Sequence, residues 1–390
     1  MRRLLWALGL AVLSCGGDGG TGPAIVASME VTPGSWLAVG VEDTVRFHAS
    51  AVDASQRPVA DAHPTWTVDD TAIASVDDTG LATARGAGVT RVVARVGEVA
   101  ADALLEIYLP PQIESYQPGV PYLGRRGYVE YVPGTLPLVI SVPHGGDLEP
   151  AEIPDRTYGE TVTDSWTRET AQAVREAFVA RTGRAPHVVV SHLRRTKLDP
   201  NREIVEAAQG SPFAENAWNE FQGFIDIAEA TVEDEFGSGF YIDVHGHGHE
   251  VLRAELGYLL SASDLDGSDA ALDAGGYAER SSLRAIAGAT DASFSELLRG
   301  ETSLGGLLAV RGVAAVPSPP DPSPGTAPYF TGGYDVDRHG SRVSGAVSGV
   351  QMELPRAGTR DTDENRRAFA RALAEAVEAF MTAHWGFFAP

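Results

Sequence analysis

Between Ile25 and Ile107 the apolar residues come in short alternating runs: Met29 to Val31, Val45 to Ala51, Thr65 to Val68, Ala74 to Val76 and Thr90 to Val96. Turn-forming pairs and triplets separate them, namely Pro33-Gly34, Asp53-Ala54-Ser55, Asp69-Asp70 and Asp78-Thr79-Gly80. A period of two with frequent turns and no helical period predicts a small all-β unit over 25–108. A proline-rich stretch from Leu109 to Pro121 then reads as a connector, placed here over 109–132.

From Leu136 onward the pattern changes. Continuous apolar runs at Leu136 to Val142, His187 to Val190, Phe240 to Val244, Gly257 to Ser261 and Val347 to Glu353 have the length of buried strands. They alternate with 3.6-period stretches at Thr163 to Ala180, Ala214 to Phe236 and Asp363 to His384. Strands alternating with long helices predict a second, α/β unit over 133–388, with helices covering both faces of the sheet. The run Pro317 to Pro324 reads as a surface loop.

The amino terminus fits neither pattern. Arg2 and Arg3 precede an apolar run, Leu4 to Leu13, that is too short to span a bilayer, followed by Ser14-Cys15 and a glycine-rich stretch. This predicts export, with 1–24 as signal and tether. Cys15 is the sole cysteine, so no intramolecular disulfide is available. A formal net charge of -23 over 390 residues argues against nucleic acid or anionic lipid as a partner.

Candidate chemistry gathers at the strand ends, where open α/β sheets bind ligands. His144 follows the first buried strand, and His245 ends another in Asp243-Val244-His245. Two imidazoles at equivalent topological positions point to a metal. Asp147 and Glu149 are the nearby candidates for a third ligand; His247 and His249 stay unassigned. Arg194, Arg195, Lys197 and Arg202 form a basic island in an acidic chain, and Lys197 is its only lysine. With Asn201 beside it, Arg202 suits a carboxylate clamp. Glu353, at the end of Val347 to Met352, is the candidate general base.

These segments together carry a resemblance. His144-Gly145-Gly146, Asp199-Pro200-Asn201-Arg202, Asp243-Val244-His245-Gly246 and Gln351-Met352-Glu353-Leu354, with Tyr329 to Tyr334 and His339-Gly340, resemble the successive motifs of the N-formylglutamate amidohydrolase family. The resemblance spans most of Leu136 to Trp385. It implies an α/β zinc-exopeptidase-like (phosphorylase/hydrolase-like) three-layer domain and a Zn2+ cofactor. It also implies zinc ligands His144 and His245, base Glu353, and substrate-binding Arg202 and Asn201, with Arg195 beside them. The wider spacing from His144 to Glu149 resembles that of poly-γ-glutamate hydrolases, so Glu149 is the expected third ligand. Thr65-Trp66-Thr67 with Ile73 to Ala84 and Gly86-Ala87-Gly88 resembles bacterial immunoglobulin-like domains of group two, implying an N-terminal spacer or adhesive sandwich that can meet a surface polymer. Val12-Leu13-Ser14-Cys15 resembles a lipobox, implying lipid on Cys15 and anchorage to the cell envelope.

The expected activity is therefore hydrolysis of an N-acyl or peptide amide in a small acidic substrate outside the cell. A poly-γ-glutamate hydrolase or carboxypeptidase-like cell-wall hydrolase is the alternative, and a non-catalytic surface adhesin is the alternative of another class. A serine esterase using His144-Gly145-Gly146 as its oxyanion loop is disfavoured, because no Gly-x-Ser-x-Gly elbow occurs.

Overall fold

A computed structural model describes residues 25–388, so the export signal and Cys15 lie outside the described residues. The chain divides into two compact units, ending and beginning at Ile107 and Tyr108.

The first unit is all-β. Its strands are β1 (Ser28–Thr32), β2 (Ser35–Val39), β3 (Thr44–Arg46), β4 (His48–Val52), β5 (Thr65–Val68), β6 (Ala74–Val76), β7 (Leu81–Ala84), β8 (Gly88–Val96) and β9 (Val99–Tyr108). They form a β1-β4 pair, a β2-β9-β8-β5 sheet and a β3-β7-β6 sheet. The run Val45 to Ala51, expected as one strand, is two. β3 pairs with β7 and β4 with β1, and the chain changes sheets at Phe47, whose ring is fully buried. Gly97, at φ 58, opens the two-residue turn that folds β9 back along β8. Alternate residues of that hairpin, Val92, Ala94, Ala103 and Leu105, fill the core.

The second unit is built on an eight-stranded sheet. Its strands are β10 (Tyr122–Leu123), β11 (Val129–Val132), β12 (Leu138–Val142), β13 (His187–Ser191), β14 (Gly239–His247), β15 (Ala254–Gly257), β16 (Ala315–Val316) and β17 (Val347–Pro355), in the order β10-β11-β13-β12-β14-β17-β15-β16. The four central strands β13, β12, β14 and β17 are parallel. The stretch 109–132, expected to be a connector, instead supplies the edge strand β10 and its neighbour β11, which pairs antiparallel with β13.

Three long helices pack on this sheet. Ser211 caps Pro212–Phe236 by accepting the Ala214 N–H, Pro212 occupies the first turn, and Gly237 at φ 77 ends it. Thr362 caps Asp363–Trp385. The helix Thr167–Thr182 begins four residues later than its apolar period suggests, because Trp166 takes a left-handed conformation, φ 71, and breaks the chain before it. Thr163 to Ser165 are thus loop.

Strand alternation sorts the two sheet faces. Leu138, Ile140 and Val142 of β12, Phe240, Ile242 and Val244 of β14, and Val350, Met352 and Leu354 of β17 join Phe178, Leu373, Val377 and Phe380 of two helices in one apolar core. Ser141, Asp243, His245, Gln351 and Glu353 point to the other face, and all are buried.

Candidate metal and active site

The polar face is held in register by the sheet. Ser141 pairs with Asp243, Asp243 with Gln351 and His245 with Glu353, so three adjacent strands present their polar side chains in rows near their C-terminal ends. His144 joins them from the turn after β12. That turn hugs its neighbour: a Cβ on Gly146 would come within 2.3 Å of the Leu193 carbonyl oxygen, which excludes any larger residue.

Each histidine is fixed by a carboxylate behind it. His144 Nε2 lies 2.6 Å from Asp199 Oδ1, and His245 Nε2 lies 2.6 Å from Asp243 Oδ2. Asp199 also accepts from Arg195 Nε (2.9 Å), and Asp243 from Ser141 Oγ (2.6 Å). Burial works against charge on Asp199, but His144, Arg195 and Arg202 hold its carboxyl well below the usual range. Both aspartates are acceptors, so each imidazole carries its proton on Nε2 and turns Nδ1 forward.

The two Nδ1 atoms converge 3.1 Å apart, and the partner they meet is Asp164. Its Oδ2 lies 3.4 Å from His144 Nδ1 and 3.2 Å from His245 Nδ1, while accepting the Gly246 N–H at 3.1 Å. The Asp164 backbone N–H donates to the His144 carbonyl (3.0 Å), tying this loop to the turn after β12. Three buried electron-pair donors facing one another need a positive charge between them. Burial disfavours a proton on His245, yet Asp243 and Asp164 raise its affinity for one well above the ordinary value. The same three atoms, two imidazole nitrogens and one carboxylate oxygen, suit a divalent metal with a coordination position left open.

Glu353 stands beside this cluster, with Oε1 4.0 Å from His245 Nδ1 and accepting from Gln351 Nε2 at 3.0 Å. Burial pushes its carboxyl up to about 7; His245 opposes the shift, and Asp164 and Glu255 add to it. A cavity of about 400 Å³ opens onto these groups, lined further by Arg195, Asn201, Arg202, His249, Phe330 and Gly333.

The structure brings His144, His245, Asn201, Arg195, Arg202 and Glu353 to one cavity and leaves Glu149 out. Residues 147 and 148 run along His192, their N–H groups donating to its carbonyl, which turns the neighbouring carboxylates outward. Glu149 is half-exposed and paired with Arg194, and Asp147 is exposed and paired with Arg168. Asp164 occupies the position expected of Glu149. The sequence pattern placed it in the first turn of a helix, where an acidic residue reads as ordinary capping. Nothing local announces the left-handed Trp166 that frees it.

The clamp residues differ among themselves. Arg195 is buried against Asp199 and the Val162 carbonyl. Asn201 accepts the Asp335 N–H (2.8 Å) through Oδ1 and donates from Nδ2 to Gln351 Oε1 (3.4 Å). Arg202 donates to the Asn201 carbonyl (2.6 Å) and lies 3.3 Å from Glu206, with about a third of its side chain exposed (33%). It is the cation of this group most open to a ligand.

His247, by contrast, is satisfied on both nitrogens: Nε2 donates to the Arg253 carbonyl (2.9 Å) and Nδ1 accepts the His249 N–H (3.1 Å). His339 also has both nitrogens engaged, by Gln222 at 2.7 Å and Glu229 at 3.1 Å.

Comparisons with solved structures give distant likenesses. N-formylglutamate amidohydrolase from Ralstonia eutropha JMP134 aligns over 66% of this chain and 97% of its own, at 13% identity and TM-score 0.41. Gene product Atu2144 from Agrobacterium tumefaciens aligns over 65% and 95%, at 13% identity and TM-score 0.39. Domains 4 and 5 of the S-layer protein SbsC align over 21% of this chain and 52% of their own, at 13% identity and TM-score 0.20. No protein-family model and no curated protein matches the chain.

Proposed function

We propose that the chain is a zinc-dependent hydrolase that cleaves an N-acyl or peptide amide in a small carboxylate-bearing substrate. The observation that carries this reading is the convergence of His144 Nδ1, His245 Nδ1 and Asp164 Oδ2 beside the buried Glu353. Two nitrogens and one oxygen with an open position are the donor set of catalytic zinc. Zinc there would supply Lewis acidity, activating water and polarising the carbonyl.

The chain's own residues supply the remainder. Glu353 takes the proton of the attacking water, its carboxylate already poised near neutrality by burial. Arg202 holds the substrate carboxylate and so sets the amide over the metal ligands. Asp199 and Asp243 keep the imidazoles in the ligating tautomer. In this reading the all-β unit is an immunoglobulin-like spacer, and lipid on Cys15 anchors the exported protein to the cell envelope, where it meets acyl-amino acids or acidic peptides rather than a cytoplasmic metabolite.

The test is a full chain carrying Cys15→Ser, assayed for bound zinc and for chelator-sensitive hydrolysis of a panel of N-acyl amino acids and acidic peptides. About one zinc per chain with hydrolysis of some panel member is expected. A folded protein that neither retains zinc nor cleaves any of them sinks the reading in favour of a surface adhesin. Anchoring is checked separately: Cys15→Ser should move the protein from the membrane fraction to the soluble one.

A further inference from the structure

The metal cluster has no use for two of the cavity histidines, His247 and His249; only His249 leaves a ring nitrogen without a partner among the described residues, and its surroundings are built rather than incidental. The row of paired residues His245 and Glu353 on β14 and β17 continues onto β15 as Glu255, directly opposite Glu353. Glu255 is fully buried. Its Oε1 lies 2.7 Å from His249 Nδ1, and its Oε2 accepts the Phe330 N–H at 2.9 Å. Both carboxylate oxygens are acceptors, so the His249 proton sits on Nδ1.

The ring is locked as well. It stacks on Phe330 at 4.9 Å between centroids and 7° between planes, and the His249 N–H is held by His247. Its Nε2 has no hydrogen-bond partner among the described residues, and His249 lines the same cavity as His144, His245 and Glu353. His247, two residues earlier, shows what a purely structural imidazole looks like here: both nitrogens are satisfied by the protein. A buried carboxylate behind an imidazole fixes its orientation and tautomer and leaves Nε2 facing the cavity, where it can exchange a proton with a bound group.

We propose that His249, seated on Glu255, is the second proton carrier of the site and protonates the leaving nitrogen of the amide. The proposal rests on the hydrolase reading above. In the balanced sequence, the water oxygen bonds to the carbonyl carbon and one water proton passes to Glu353. When the carbon–nitrogen bond breaks, its electron pair stays on nitrogen, which takes the Nε2 proton of the His249 imidazolium. The proton on Glu353 then leaves to solvent, and neutral His249 takes one up from solvent. Amide and water thus become acid and amine with both side chains restored.

The deciding measurement compares two substrates that differ in one atom: the N-acyl amino acid cleaved best in the panel, and its thioester analogue with sulfur in place of the amide nitrogen. Sulfur leaves as a thiolate and needs no proton. In the zinc-loaded full chain, His249→Gln should lower kcat on the amide about 10²- to 10³-fold. The same change should alter kcat on the thioester less than about threefold, with bound zinc unchanged. Glu255→Gln, nearly isosteric, should show the same split. Equal losses on both substrates, or no loss on either, overturn the proposal while leaving the hydrolase intact. A zinc-loaded wild-type chain that cleaves no amide overturns the hydrolase reading and this one together.

Discussion

The two faces of one sheet show how differently the same strands can be used. Over most of β12, β14 and β17, alternate residues enter an apolar core with no polar partner to find, while the residues between them include serine, aspartate, histidine, glutamine and glutamate at equal depth. The apolar face is held by area removed from water, is non-directional, and tolerates a change of shape. The polar face survives burial only because each donor meets an acceptor, so its members depend on one another. Removing one group should therefore cost stability on the first face and chemistry on the second.

The strongest test of that contrast is Asp164→Ala, expected to abolish stoichiometric zinc, whereas Glu149→Ala, which breaks only a surface ion pair, should leave zinc in place and shift stability by less than about 1 kcal/mol. Metal analysis after dialysis separates the two; the reverse outcome would return the third ligand to Glu149. Next in size, Asp243→Asn keeps the shape of the pair with His245 but not its charge. Zinc affinity should fall about 10- to 100-fold in a competitive chelator titration, and an unchanged affinity would mean that the carboxylate is not setting the tautomer.

On the opposite face, Ile242→Ala removes a fully buried side chain one residue before Asp243. It should cost about 2–5 kcal/mol in denaturant unfolding, with zinc affinity of the folded protein within about twofold of wild type. A large loss of affinity there would show that the two faces are not independent.

The smallest effect concerns His187, at the other end of the polar face on β13, where Tyr131 is its neighbour at 2.9 Å and no carboxylate among the described residues pairs with it. Burial alone pushes it down to about 4. The unfolded chain, with an ordinary value near 6.5, binds the proton first, so this contribution to stability is complete above pH 6.5 and is lost as pH falls towards 4. His187→Leu should therefore lose roughly 2 kcal/mol less than wild type between pH 7.5 and 4.5, as followed by urea unfolding. Parallel acid profiles for the two proteins would contradict a neutral buried imidazole.

Much of this architecture was legible because it is local or periodic. The apolar runs at Leu136 to Val142, Phe240 to Val244 and Val347 to Glu353 marked the central strands to within three residues at each end, and their ends marked where His144, His245 and Glu353 would stand. Asp243 and His245 share a face simply because the strand period is two. The errors fell where backbone geometry is decided by packing. Glu255 was outside the expected strand Gly257 to Ser261, because the chain leaves the sheet after Gly257 and turns at Leu259, φ 63. The single run Val45 to Ala51 hid a change of sheet at Phe47, since periodicity reports alternation and not the identity of the partner strand.

The sequence by itself determined which residues are available for chemistry and on which strand ends most of them sit, since periodicity and strand alternation are properties of neighbours along the chain. Tertiary structure alone decided the third donor. Asp164 meets His144 and His245 across 20 and 81 residues of chain, through a loop released by one left-handed tryptophan and tied down by the Gly246 N–H. Contacts of that separation arise from sheet register and packing, and no spacing within a motif encodes them.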